Sequence, residues 1–239
     1  MADQRSRGAP KSERFARAIA AIDAAHAGDP RKLETDLGSR PLELAQAERA
    51  FAWVRRLRPG ASEALLLAAR AHHLRRWEIP RSRYPAGRAG YLRWRKQLQQ
   101  RHAQGAAALL EPLGYDTRTL DRVADLIRKR GIGRDDEVQV LEDALCLVFF
   151  ETQLAAFAAE HPATTAASVL RKTLAKMSPR GRAVARELAL PARVRSLLAE
   201  ALETCDAPRE GAADGSRTRR TPGARDTEDP RDPDGRRRK

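Results

Sequence analysis

DEVQVLEDALCLVFFETQLAAFAAEH, residues 136–161, decides the fold. Its centre is hydrophobic nearly all round, the mark of a helix enclosed by other helices rather than lying on a surface. Asp135 stands where an N-cap belongs, so the helix is expected to start directly after it. No segment alternates apolar and polar residues over a convincing length. The expected fold is therefore all-α, a single compact multi-helix domain spanning residues 13–203.

Upstream, Ser12 is placed to cap a helix with Phe15, Ala18, Ile19 and Ile22 on its apolar face, and Gly28, Asp29 and Pro30 end it. Residues 27–40 are expected to form a loop. Pro41 suits the first turn of a second helix carrying Leu44, Ala47, Phe51, Val54 and Leu57. A third, capped by Ser62, is expected to reach about Glu78, with Leu65, Leu66, Ala69, His72 and His73 on its inward sector. Pro80 and Pro85 bracket a loop, followed by helices over 88–110 and 120–129. Downstream of residue 161, helices are expected over 166–177, 180–188 and 192–203.

The first 12 residues are polar and expected to be disordered. From Thr204 to Lys239 there is not one Leu, Ile, Val, Phe, Trp or Tyr. Such a segment cannot offset its ordering entropy by burial, so a disordered tail is expected.

Net charge is +14, and between Arg55 and Arg101 there are 13 Arg or Lys against Glu63 and Glu78, a local balance of +11. That concentration points to a phosphate-bearing partner more than the total does, because 39 of the 46 basic residues are Arg in an Ala-rich chain. No apolar run is long enough to span a membrane, and no signal peptide opens the chain, so a cytoplasmic location without membrane contact is expected. Cys146 and Cys205 sit in dissimilar surroundings and are not expected to pair. A phosphate-binding P-loop, a GxGxxG turn and a CxxC pair are all absent from the sequence.

The chemistry-bearing residues gather in two places. Residues 64–98, ALLLAARAHHLRRWEIPRSRYPAGRAGYLRWRKQL, hold His72 and His73 followed by arginines interleaved with Trp77, Tyr84, Tyr91 and Trp94. On the buried helix, Gln139, Asp143, Leu147 and Glu151 recur at four-residue steps, and a carboxylate there needs a cation or a hydrogen-bond network. His26, His72, His73 and Asp143 could converge as nitrogen and oxygen ligands of zinc, manganese or iron. His102 and His161, at polar helix ends, are expected to be ordinary surface residues. Trp53 and Trp77 are expected in the core or at its margin.

A histidine ending one helix, a His-Asp doublet on a later one and a lone aspartate on a still later one is the pattern of the HD superfamily of metal-dependent phosphohydrolases, which this chain resembles. AHAGDPRK, residues 25–32, is similar to the AHxGQxRK segment of guanosine tetraphosphate hydrolases. The resemblance implies metal ligands at His26, His72 and Asp143, with His73 where the doublet's aspartate stands. AHHLRRWEIPRSRYPAGRAGYLRWR, residues 71–95, together with LEDALCLVFFE, residues 141–151, more closely resembles an uncharacterised family of bacterial and fungal proteins known as a domain of unknown function.

Two functions from different classes fit these residues. One is a metal-dependent phosphohydrolase, or a degenerate HD-like relative, acting on a nucleotide or another small phosphorylated molecule. There the divalent ion would activate water, Arg75, Arg76, Arg81 and Arg88 would neutralise phosphate, and Glu78 or Glu142 would orient the water. The other is a non-catalytic RNA- or nucleotide-binding helical domain, whose arginines track phosphates while Tyr84, Tyr91 or Trp94 stack on bases.

Overall fold

The protein is described as a computed structural model over residues 11–35 and 38–206. Its helices are α1 (Lys11–Ala27), α2 (Leu42–Leu57), α3 (Glu63–Ala71), α4 (Gly87–Leu110), α5 (Thr117–Ile127), α6 (Asp136–Thr152), α7 (Leu154–Glu160), α8 (Ala163–Leu174), α9 (Pro179–Arg186) and α10 (Ala192–Asp206). The fold is all-α apart from a small hairpin, and no helix among the described residues is long and apolar enough to cross a membrane. The disorder expected for 1–12 and 204–239 lies outside the described residues, save at its inner edges. There Ser12 is already inside α1, and α10 runs three residues past Glu203.

Helix α6 lies at the centre, as its apolar girth requires. Every residue from Leu141 to Phe150 is buried, and α6 packs against α2, α3, α5, α7 and α9. Asp135 caps it, its Oδ1 accepting from the Glu137 and Val138 amides. Ser62 caps α3 in the same manner through Leu65 N–H. The single long helix expected over 136–161 is in fact two. Gln153 leaves helical geometry at φ −130° and ψ −27°, next to Thr152, whose hydroxyl donates to the Val148 carbonyl at 2.7 Å. Side-chain bonding of that kind bends or interrupts helices.

Two other expectations are corrected. The loop expected over 27–40 contains an antiparallel hairpin, β1 (Lys32–Thr35) and β2 (Gly38–Pro41), in which Lys32 faces Pro41 and Thr35 faces Gly38. Its strands, KLET and GSRP, carry no apolar alternation, which is why the periodicity was silent. Helix α3 also stops at Ala71, seven residues before Glu78. His72 Nδ1 takes the Ala69 carbonyl at 2.9 Å, the amides of Leu74 and Arg76 turn to three-residue bonds, and Arg75 adopts the left-handed conformation at φ 54°. The chain then passes through 3-10 turns at Arg76–Glu78 and Arg81–Arg83 before α4.

Gly90 sets how closely that connection approaches α4, because a Cβ there would lie 1.9 Å from the Pro85 carbonyl oxygen. The obstacle is backbone, so it cannot swing away. Gly90→Ala is expected to cost about 1–3 kcal/mol, the range for overpacking a tight site, read as a lowered urea midpoint at unchanged slope. Wild-type stability in this variant would show that the 79–86 connection moves freely.

Candidate functional site

The early turn of α3 leaves His72 and His73 on a tight bend instead of along a helix, and their rings lie 4.1 Å apart between centroids. His102, on the buried face of α4, comes within 5.8 Å of the His73 ring. Carbonyl oxygens only accept, so the ring nitrogens facing them carry the hydrogens. His72 thus donates from Nδ1 to Ala69 O, His102 from Nδ1 to Leu74 O at 2.8 Å, and His26 from Nε2 to Arg70 O at 3.0 Å. Burial is the main cause that holds all three imidazoles below their ordinary pKa of 6.5. For His102 the neighbouring Arg76 adds to it and the value falls to about 4, while for His72 the adjacent His73 adds to it. All three are neutral at pH 7.

A carboxylate pair fixes this bend to the N-terminal helices. Glu43, in the first turn of α2, is 1% exposed. It accepts from Arg31 Nη2 at 2.8 Å and from His73 Nδ1 at 3.1 Å, with Arg76 Nε at 3.9 Å. Asp29, equally buried, accepts from the Arg31 amide and guanidinium and from the Glu43 amide. The segment AHAGDPRK therefore acts as a clamp: His26 holds the end of α3, while Asp29 and Arg31 hold the start of α2.

Beside the bend lies a cavity of about 60 Å³. Arg76, Arg95 and Lys129 bring positive charge to its wall, His72, His73 and His102 bring imidazoles, and among the described residues no carboxylate lines it. The acids stand behind the wall: Glu43 beside Arg76, and Glu142 of α6 paired with Lys129. Trp94 forms part of the lining, buried, with its indole N–H donating to Ile79 O at 2.9 Å and the Arg76 guanidinium 4.8 Å from its ring centre. A larger open groove of about 360 Å³ adjoins the cavity through Gln99 and is lined also by Lys96, Gln100, Arg128 and Arg130.

Among the residues proposed from sequence, His72, His73, Arg76 and Trp94 meet in this cavity, and His26 and Glu142 lie behind it. Asp143 is held elsewhere. Its oxygens accept from the Ser178 amide at 2.8 Å, the Ser178 hydroxyl and Gln139 Nε2 at 3.0 Å, and burial raises its pKa against those bonds. It ties α6 to the start of α9, where a Cβ on Gly181 would come within 2.6 Å of the carboxyl carbon. Among the described residues, no group of three or more His, Cys, Asp or Glu is placed to hold a metal ion. Arg81 is buried, with its guanidinium on Tyr84 O at 3.0 Å and Gly87 O at 3.4 Å, so it shapes the connection to α4. Tyr84 donates to Gln97. Arg75, Glu78 and Arg88 are exposed, and Glu78 faces Arg75 at 3.9 Å and Arg101 at 3.7 Å.

Sequence reasoning missed Asp29, Arg31, Glu43, His102, Lys129 and Gln153. Glu43 had a readable signal, since Glu43, Ala47, Ala50 and Val54 follow one helical stripe and three of the four are apolar. His102 did too, four residues after Leu98 and eight after Trp94 on the buried face of α4. It is 3% exposed, not a surface residue. Lys129 gave none, because its position depends on the left-handed φ of 57° that follows α5.

The family model described as Domain of unknown function (DUF4202) matches residues 16–198, from the first turns of α1 into α10. The chain belongs to that family. No curated protein and no solved structure matches, so the resemblance to HD hydrolases rests on its motif residues alone.

Proposed function

We propose that this chain binds a small phosphorylated molecule, a nucleotide among the candidates, by seating a phosphoryl group in the cavity between the His72-His73 bend, α4 and the end of α5. One observation carries the reading: a small concave site walled by Arg76, Arg95 and Lys129 and, among the described residues, lined by no carboxylate. Guanidinium and ammonium groups in a partly dry pocket favour an oxyanion far more than the same groups on an open surface. The adjoining Lys96, Arg128 and Arg130 groove would carry the body of the ligand or further phosphates. Trp94 is closed off beneath Arg76, which leaves it as a wall rather than a stacking platform for a base.

Metal-assisted hydrolysis by His26, His72, His73 and Asp143 does not fit this geometry, because the Asp143 oxygens serve Ser178 and Gln139. The test is a thermal melt with increasing inorganic phosphate at constant ionic strength. A ligand bound only by the folded state raises the melting temperature with its concentration. Arg95→Glu, which reverses one wall charge on a half-buried side chain, is expected to weaken phosphate binding at least about tenfold with circular dichroism unchanged. A melting temperature indifferent to phosphate in the wild type would overturn the reading.

A further inference from the structure

Among the described residues, two polar atoms of the cavity lining have no hydrogen-bond partner. His102 Nε2 and Gln153 Oε1 are buried without a hydrogen bond, and both side chains line the cavity. With Nδ1–H directed to Leu74 O, Nε2 of His102 carries the lone pair and accepts, and the Gln153 oxygen accepts as well. A buried acceptor without a donor is a destabilised group, and an occupant relieves it only by bringing a hydrogen. The positive wall asks at the same time for an oxyanion. By the room one water needs, about 60 Å³ admits roughly four or five water-sized groups, about the heavy atoms of one phosphoryl group. The hydrogen must then sit on the phosphoryl group itself and not on the body of the ligand beyond it.

We propose that the cavity selects a protonated phosphoryl group, whose P–OH donates to His102 Nε2 while its other oxygens face Arg76, Arg95 and Lys129. The inference rests on the phosphate-binding reading and gives it a specificity: phosphate or a phosphate monoester is taken in preference to sulfate, which has the same shape and no proton at neutral pH. The groups around His102 suit a monoanion. Arg76 faces it from the 3-10 turn, His73 from the bend, His26 from α1 and Glu43 from α2, while Lys129 and Arg95 share its cavity. Glu43 and Glu142, beside Arg76 and Lys129, offset part of the positive charge. Neutrality of His102 at pH 7 keeps its lone pair available.

The test compares inorganic phosphate and sulfate by calorimetric titration near pH 7 at constant ionic strength, in wild type and in His102→Asn. The asparagine amide can still donate to Leu74 O in place of Nδ1–H, and it has no group at the Nε2 position. Wild type is expected to bind phosphate at least about tenfold more tightly than sulfate, and the variant to bind the two within about threefold, the difference being one charge-assisted hydrogen bond. Dimethyl phosphate, a monoanion without a P–OH, is expected to bind wild type as weakly as sulfate, a comparison that does not depend on the variant folding. Equal binding of phosphate and sulfate by wild type, as a resident water on Nε2 would give, overturns the inference while leaving an anion site. Binding of neither ion overturns the underlying reading as well.

Discussion

Stability is expected to fall steeply as the pH drops below about 6.5. His26, His72 and His102 are held neutral by burial, so their folded pKa values lie below the unfolded 6.5, with His102 at about 4. Well above pH 6.5 neither state is protonated at these rings and stability is level. Below it the unfolded chain takes up protons that the folded chain refuses, so stability falls with falling pH until the folded values are reached. Each such proton is worth at most about 1.4 kcal/mol per pH unit, and the three contributions act in the same direction. For His102 alone, the interval from 6.5 to about 4 corresponds to about 3 kcal/mol. Asp143 works the other way, since burial raises its pKa and lets the folded state accept a proton first, so it offsets a little of the loss at the acid end. Urea unfolding at a series of pH values from about 8 to 5 gives the slope directly. A level free energy across that range would show that the three imidazoles are not buried neutral.

Removing the Glu43 charge is expected to be nearly as damaging. Glu43→Gln keeps the volume but leaves the Arg31 and Arg76 guanidinium groups and the His73 N–H around a neutral amide, whose own hydrogens now face donors. Breaking one side of a buried ion pair costs about 3–5 kcal/mol. The loss should appear in the urea midpoint, and the signals of His72 and His73 should shift in the imidazole region of the proton spectrum. Ordinary surface salt bridges such as that of Arg130 and Asp125 contribute about 0–1 kcal/mol, so Asp125→Asn makes the control. A Glu43→Gln protein as stable as the control would remove the clamp from this account.

What was readable in the sequence was set by local chemistry. The girth of α6, the Ser62 and Asp135 caps and the Pro-bracketed connection depend on neighbours within a few residues, and each is found where its pattern puts it. The end of α3 was not readable, because it depends on where the rings of His72 and His102 find carbonyls. In the candidate site, the His72-His73 pair and the arginine excess lie at the bend beside the cavity. The role of each arginine did not follow from its type: Arg76 lines the cavity, Arg81 holds backbone, and Arg75 and Arg88 face outward. Asp143 was correctly read as a buried acid in need of partners, but helical phase alone could not distinguish Ser178 from the histidines as those partners.

The contact that joins α2 to the end of α6 spans 106 residues between Gln46 and Thr152, and the Trp53 indole meets Glu151 across 98. At a synthesis rate of about 5–20 residues per second, the wall of the cavity supplied by α2 waits roughly 5–20 s for the segment that closes it. During that interval the apolar faces of α2 and α3 have no α6 to cover them. The nascent chain is then open to holding factors and to self-association, and codon choice or ribosome pausing between residues 58 and 135 sets how long that exposure lasts.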